Sequence, residues 1–441
     1  MKTNNSQTFH GVAGRSGPRR TAIWLVTLLV LTRALWAQAG GNSENGSGTE
    51  KVGTNHLTGT PPLVGNPILL PDDRILRLIS AGVDPVYERM LEMTTNGWLG
   101  SDVGESIVLS DQKTLWLFGD TFIGSLSNGV RVAGPPMINS TIGIQDRTRP
   151  ASGCMTYYWK ELGGKPASFF PHQPNTPGTY YWVTKGVMLQ SELFLFAFCI
   201  SNVESGTGVF DWKEAGSALI RVPNPLDPPD RWIQQAYPIK LEMGDDFQSA
   251  LVVDPPYLYL YGIVQPRRMA LARIQIDDLM KGRLAEAYEY WVDGLRGPHW
   301  GKDPKHCVPQ FLPVNSECSV HYEPAWDCFT CFTYDVIHPE IYLTTAKHLT
   351  GPWTKPVPVC RVPEHDAVSF PIISYAVRQH PELSTRPGEV VLTYATNVPE
   401  VEQLFTAEGR NIYVPRFLRL ELELDRSSKT NRPDILEPSP R

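Results

Sequence analysis

Five times between residues 105 and 397 the chain repeats one pattern: a short apolar strand, a tight turn, and a second strand richer in aromatic residues. The copies are Glu105–Thr121 (ESIVLSDQKTLWLFGDT), Gly186–Ser201, Ser249–Gly262, Cys318–Asp335 and Ser374–Asn397. Turn-forming residues separate the halves, at Ser110–Lys113, Asp254-Pro255-Pro256 and Pro324–Asp327 in the first, third and fourth copies. Further strand candidates follow, such as SALIRVP, MALARIQI, EIYLTTA and FLRLELEL. Side chains on a strand alternate between two faces, so a unit of this kind has two faces to cover and must stack against its neighbours. The repeat therefore predicts an all-β chain, a five-bladed β-propeller over residues 63–424. A pair of β-sandwiches also consists of short strands, but the recurrence of a paired-strand unit favours the propeller. Proline (39) and glycine (36) are abundant, as many turns require, and argue against long helices. One short helix is predicted in a connection, Ile276–Ala287.

The ends read differently. Arg15, Arg19 and Arg20 precede an apolar run, Thr21–Thr32, and Ala37-Gln38-Ala39 follows as a small-x-small site. This is the pattern of a signal peptide, residues 1–39. A spanning helix needs about 20 apolar residues, more than this run supplies, so a membrane link is expected only if the leader stays on as an anchor. A secreted or periplasmic, monomeric protein is the expectation. Residues 40–62 read as a flexible linker rich in Gly, Ser and Asn, and 425–441 as a disordered tail. The net charge is −6, from 40 Lys+Arg against 46 Asp+Glu, with no basic runs. That excludes nucleic acid as a partner, since such binding rests on clustered cations. Of seven cysteines, four lie within residues 307–331, and one or two disulfides are expected there. Cys328 and Cys331 have CxxC spacing, but residues three apart on a strand face opposite ways, which suits neither zinc nor a redox dithiol.

Acids fall at the strand ends. Asp102 precedes the first strand of the first hairpin, Asp120 follows the second, and their midpoint is residue 111, inside the turn. Residues equidistant from an antiparallel turn face each other, with Cα atoms about 4.5–5.5 Å apart. Two carboxylates that close repel, and one holds its proton to higher pH. Glu317 and Asp335 bracket the fourth hairpin in the same way, about residue 326. Asp246 opens the third, opposite Val264, and Asn397 closes the fifth. Together they predict a polar mouth to the central channel: Asp102, Asp120 and Glu317 as catalytic acids, with Asp246, Asn397 and Trp98 against the substrate. A lone Asp at a strand end commonly caps its own turn, an account that covers each aspartate but not the juxtaposition of two. Trp98, Trp182 and Trp300 could stack on sugar faces or pack a core or rim. His321 and His380 read as satisfied core histidines. No zinc-ligand spacing, GxSxG or phosphate-cradling loop is present in the sequence, so no metal or cofactor is expected.

GSDVGESIVLSDQKTLWLFGDTFIG resembles the opening blade of a family of exported propellers long labelled a domain of unknown function, some members of which are endo-D-arabinanases. FQSALVVDPPYLYLYG, ALARIQIDDLMKGRLAEAYEYWVDG, TTAKHLTGPWTKP and the fifth hairpin extend the likeness over most of Asn96–Leu424. The resemblance implies a five-bladed propeller and glycoside hydrolysis, with Asp102 and Asp120 at the positions of the catalytic carboxylates and Glu317 in the region of a third acid. The cysteines and the insertion Gly297–Gln310 depart from the pattern. The reading is an exported hydrolase of a polysaccharide, an arabinofuranose polymer being the implied case. The alternatives are a non-catalytic propeller that binds glycans or a surface protein, and a purely structural surface protein.

Overall fold

The computed structural model describes residues 67–203, 212–239, 246–264, 268–284, 286–312, 315–335 and 339–425. The expected leader and linker, and the tail beyond Asp425, lie outside them. Five antiparallel sheets form the blades of a propeller. Blade one enters at Asn96–Ser110 and continues outward through Lys113–Ser127, Thr141–Asp146 and Met155–Tyr158. Blade two runs Tyr180–Leu189, Glu192–Asn202, Trp212–Val222, Gln235–Ile239. Blade three runs Asp246–Asp254, Tyr257–Val264, Arg268–Gln275, Glu289–Val292, His299–Gly301. Blade four runs Ser319–Glu323, Cys328–Tyr334, Glu340–Ala346, Val357–Arg361. Blade five takes Ile373–Gln379, Glu389–Asn397 and Arg416–Leu424 from the C-terminal side.

Blade five is completed from the other end of the chain. Ile75–Val83 lies antiparallel on Arg416–Leu424, and Ile68–Leu69 pairs outside it. Sequence analysis had no strand there, because a closing strand has its partner more than three hundred residues away. Hydrogen bonds thus tie the N-terminal strands into the last blade, and each innermost strand lies beside the next around the ring, the fifth returning to the first.

Alternation along the strands explains where the core sits. In blade one, Leu115 and Leu117 face blade two, among Leu195, Ala197 and Tyr181. Trp116 and Phe118 face the other way, onto Val391 and Phe417 of blade five. Phe194 and Phe196 of blade two meet Leu258 and Leu260 of blade three. Ala250 and Tyr261 meet Val320 and Cys331 of blade four, and Phe332 and Leu343 meet Leu392 and Leu420 of blade five. Every blade interface therefore has its own apolar core. Truncation of one large side chain, such as the fully buried Trp116, would cost about 3–5 kcal/mol.

Two expectations need correction. The helix spans only Ile276–Met280, because Gly282 takes a left-handed φ of 69° and ends it. The cysteines are buried, and the expected disulfides within residues 307–331 are not formed. They are spread over the blade cores, with Cys328 facing the core between blades four and five and Cys331 that between three and four. The opposite facing of those two is what their spacing on a strand predicts.

Candidate active site

Each blade enters at its innermost strand, so the starts of these strands gather at one mouth of the channel. Asp102 and Asp120 lie there. On one side of them Ser101 faces Thr121; on the other Val103 faces Phe118 and Glu105 faces Leu117. Between the first two pairs a single residue, Asp102, stands against Gly119 and Asp120, and the extra residue is recovered at Gly104. Two compensating bulges restore the register, which is why symmetry about the turn placed the aspartates correctly. The bulges aim the side chains. They hold Val103 at φ 72° and Gly104 at φ 69°. A β-branched residue in the left-handed region is strained by about 1–3 kcal/mol, a cost commonly found at functional sites. Gly119 has no side chain for a related reason: a Cβ there would overlap Asp102 Oδ1.

The two carboxylates have different surroundings. Asp102 Oδ2 accepts one hydrogen bond, from the Tyr375 hydroxyl at 2.9 Å. Asp120 Oδ1 accepts two, from Trp182 Nε1 at 2.8 Å and Asn139 Nδ2 at 3.2 Å. Burial, then the charges of Asp120 and Glu317, push the Asp102 carboxyl well above the usual carboxylate range. Burial raises Asp120 to about 6, while the Trp182 and Asn139 donors pull it down. Asp102 is thus the member that keeps the proton, and Asp120 the member held as an anion near neutrality. Both retain some solvent contact, so a molecule entering the mouth can reach them.

Deeper in the channel, four charges from four blades interlock. Lys185 Nζ donates to Glu105 Oε2 at 2.9 Å and to the Cys318 carbonyl at 3.0 Å. Arg378, fully buried, lies 3.3 Å from Glu105 Oε2 and binds Glu317 Oε1 through Nη2 at 2.5 Å. Burial alone would raise Glu105, but Lys185 and Arg378 outweigh it and hold the carboxyl below its ordinary value. Two cations against two carboxylates make the layer neutral.

Of the residues chosen from sequence, Asp102, Asp120 and Glu317 come together. Asn397 stands one step behind, its Nδ2 3.5 Å from the Tyr375 hydroxyl. Trp98 belongs elsewhere: it is fully buried, stacked on Tyr157 at 4.5 Å and against Phe118 at 5.2 Å, so neither face is open to a substrate. Trp300 packs against Trp291 and carries the Arg273 guanidinium over its ring at 4.1 Å. Asp246 opens the inner strand of blade three, paired with Ile263 rather than Val264 because the strand bulges before Ala250; its side chain lies outside the described residues. Glu317 does not pair with Asp335. Ser319 faces Phe332 and Tyr322 faces Phe329, a register that brings Glu317 level with Tyr334. His380 is bonded to Ser106 Oγ at 2.6 Å and Thr393 Oγ1 at 2.7 Å, and His321 to Ser319 Oγ at 3.0 Å. Both histidines are satisfied, as their sequence setting implied. Asn139, Tyr375, Lys185 and Arg378 join the site without having been among the residues expected there. Lys185 and Arg378 did leave a signal, a charge inside an otherwise apolar inner strand (YYWVTKGVML and ISYAVRQ).

Fold and site define a five-bladed propeller whose channel mouth holds a pair of opposed carboxylates with unequal hydrogen-bond partners. The chain belongs to the family described as "Domain of unknown function (DUF5005)", which residues 84–422 match. A search of curated proteins gave no match. Among solved structures, the chain is similar to a "putative hydrolase" from Bacteroides ovatus, at 17% identity and TM-score 0.62, covering 80% of this chain and 93% of that one. It is more distantly similar to CoXyl43, a GH43 beta-xylosidase/alpha-arabinofuranosidase from a compost microbial metagenome (11% identity, TM-score 0.40, 78% and 95% covered). An exo-1,5-alpha-L-arabinanase from a bovine ruminal metagenomic library is at a similar distance (11%, 0.39, 75% and 96%). At such identities the likeness speaks for the fold alone.

Proposed function

We propose that the protein is a glycoside hydrolase in which Asp102 is the general acid and Asp120 the general base or nucleophile. The observation that carries this reading is the asymmetry of the pair: two opposed carboxylates, one driven toward the neutral acid by burial and like charge, the other steadied as an anion by two neutral donors. Hydrolysis of a glycosidic bond asks for that division. The Asp102 proton passes to the glycosidic oxygen as the bond from that oxygen to the anomeric carbon breaks, and the leaving alcohol departs neutral. Asp120 either takes a proton from the water that attacks the anomeric carbon, or attacks it directly and is released by water in a second step. Glu317, tied to Arg378, adds negative charge beside Asp102 and helps keep its proton in place.

The finer reading is a polymer substrate outside the cytoplasm. It is supported by the leader-like N-terminus and by the family resemblance of the GSDVGES and LWLFGDT segments, which points to arabinofuranose polymers. The test is release of reducing ends from a panel of plant and bacterial cell-wall polysaccharides by the wild type, Asp102→Asn and Asp120→Asn. Cleavage by the wild type, with turnover lowered by orders of magnitude in both folded variants, is the expected result. Wild-type turnover in Asp120→Asn would refute the assignment, and retention of a glycan without any cleavage would make the protein a binding propeller.

A further inference from the structure

We infer that the rim of blade two carries a sugar-binding subsite, formed by Trp182, Trp212 and Tyr180, for a neutral ring of the same glycan whose bond lies at the aspartates. The inference rests on the glycosidase reading and adds a place for the next sugar. Most tryptophans of the described residues serve the blade cores: Trp98, Trp116, Trp232 and Trp326 are buried in them, and Trp291, Trp300 and Trp353 pack against one. Tyr180, Trp182 and Trp212 belong to none of the hydrophobic clusters among the described residues, and each is partly exposed. Three large rings left partly wet at a channel mouth are the kind of surface that a sugar face covers.

Their arrangement gives the surface a shape. Trp182 is pinned by the hydrogen bond from its Nε1 to Asp120 Oδ1. Trp212 stands almost perpendicular to it, with centroids 4.5 Å apart and planes at 79°. Tyr180 flanks Trp182 at 6.1 Å and 68°, and its hydroxyl donates to the exposed Asn202 Oδ1 at 3.4 Å. The result is an apolar corner with a phenol and an amide at its edge. Such a corner can meet the face of a sugar ring on one wall and its edge on the other, with hydroxyl partners at the rim. Trp182 touches Asp120, and Trp212 lies one ring further from it, so the corner continues the catalytic pair outward. Charge narrows the ligand. The Asp120 carboxylate borders the corner through Trp182, while Lys185 and Arg378 are held by Glu105 and Glu317. An anionic sugar would meet the like charge of Asp120, which favours a neutral ring.

The test uses the full protein with ladders of arabinofuranose, xylose and galactose oligomers of increasing length, reading both kcat/KM and equilibrium binding. The wild type is expected to gain affinity and kcat/KM when the oligomer becomes long enough to reach the corner. Trp212→Ala should cut that step by about tenfold, the order of magnitude of one lost stacking contact. Trp212→Phe, which keeps an aromatic wall, should restore part of it and shows that the fold tolerates change at this position. An undiminished length step in folded Trp212→Ala overturns the subsite. Cleavage that needs Asp102 and Asp120 but ignores Trp212 overturns the subsite and leaves the hydrolase standing. Trp212-dependent binding without cleavage does the reverse, and a wild type that binds no oligomer overturns both.

Discussion

Tyr375→Phe isolates the assignment of roles within the aspartate pair. The substitution removes one oxygen and nothing of the ring, so packing between the inner strands of blades five and one is kept. What is lost is the 2.9 Å hydrogen bond to Asp102 Oδ2, with the long 3.5 Å contact from Asn397 Nδ2. A bond to an ionised acceptor is worth about 1.5–3 kcal/mol and one to a neutral acceptor about 0.5–1.5. The difference, roughly 1 kcal/mol, is the preference that Tyr375 gives to the ionised form. Its removal therefore raises the Asp102 pKa further, by roughly 0.5–1 unit. If Asp102 is the general acid, activity is lost at alkaline pH when it ionises, and the alkaline limb of kcat/KM must move upward in Tyr375→Phe by that amount. The acid limb, set by ionisation of Asp120, should stay in place near 6. The assay is a pH profile of reducing-end release for wild type and variant on the polysaccharide found to be cleaved. An alkaline limb that does not move in the folded variant, or an acid limb that moves instead, refutes the assignment of roles.

Other perturbations test other parts of the argument. Gly119→Ala places a Cβ on Asp102 Oδ1, so turnover should fall by at least tenfold while circular dichroism and oligomer binding report a folded protein. Arg378→Met leaves Glu105 and Glu317 without a shared buried partner and should destabilise the fold by about 3–5 kcal/mol in urea titrations. A loss below 1 kcal/mol would mean that the channel layer is solvated rather than interlocked.

The layering of the channel ties these observations together. Neutral interlocked charges lie further along the inner strands, the aspartate pair sits nearer the mouth, and aromatic rings flank it on one side. The starts of the inner strands collect the aspartate pair at the mouth.

Much of this was legible in one dimension because it follows from local rules. Period-two apolar patterning and turn residues set all five hairpins, and hairpin symmetry brings residue 102 to residue 120 whatever the rest of the chain does. The opposite facing of Cys328 and Cys331 and the satisfied state of His321 and His380 follow from equally short-range arguments. The failures have a common cause. A tryptophan near a strand start can face the channel or a blade interface, and the pattern does not say which. Trp98 went to the core and Trp182 to the aspartates. For Glu317 and Asp335 the register is off by a single residue, which is enough to replace an acid by Tyr334.

Tertiary structure alone decided everything that needs partners from different blades. The closing strand Ile75–Val83 finds its mate at Arg416–Leu424 only when the ring is complete. Tyr375 reaches Asp102 across 273 positions of sequence, and Arg378 reaches Glu317 across 61. The unequal proton affinities of the two aspartates come from burial and from those distant neighbours. An acid's identity and spacing are written in the chain, whereas its dielectric surroundings and its hydrogen-bond donors exist only once five separate strands surround it.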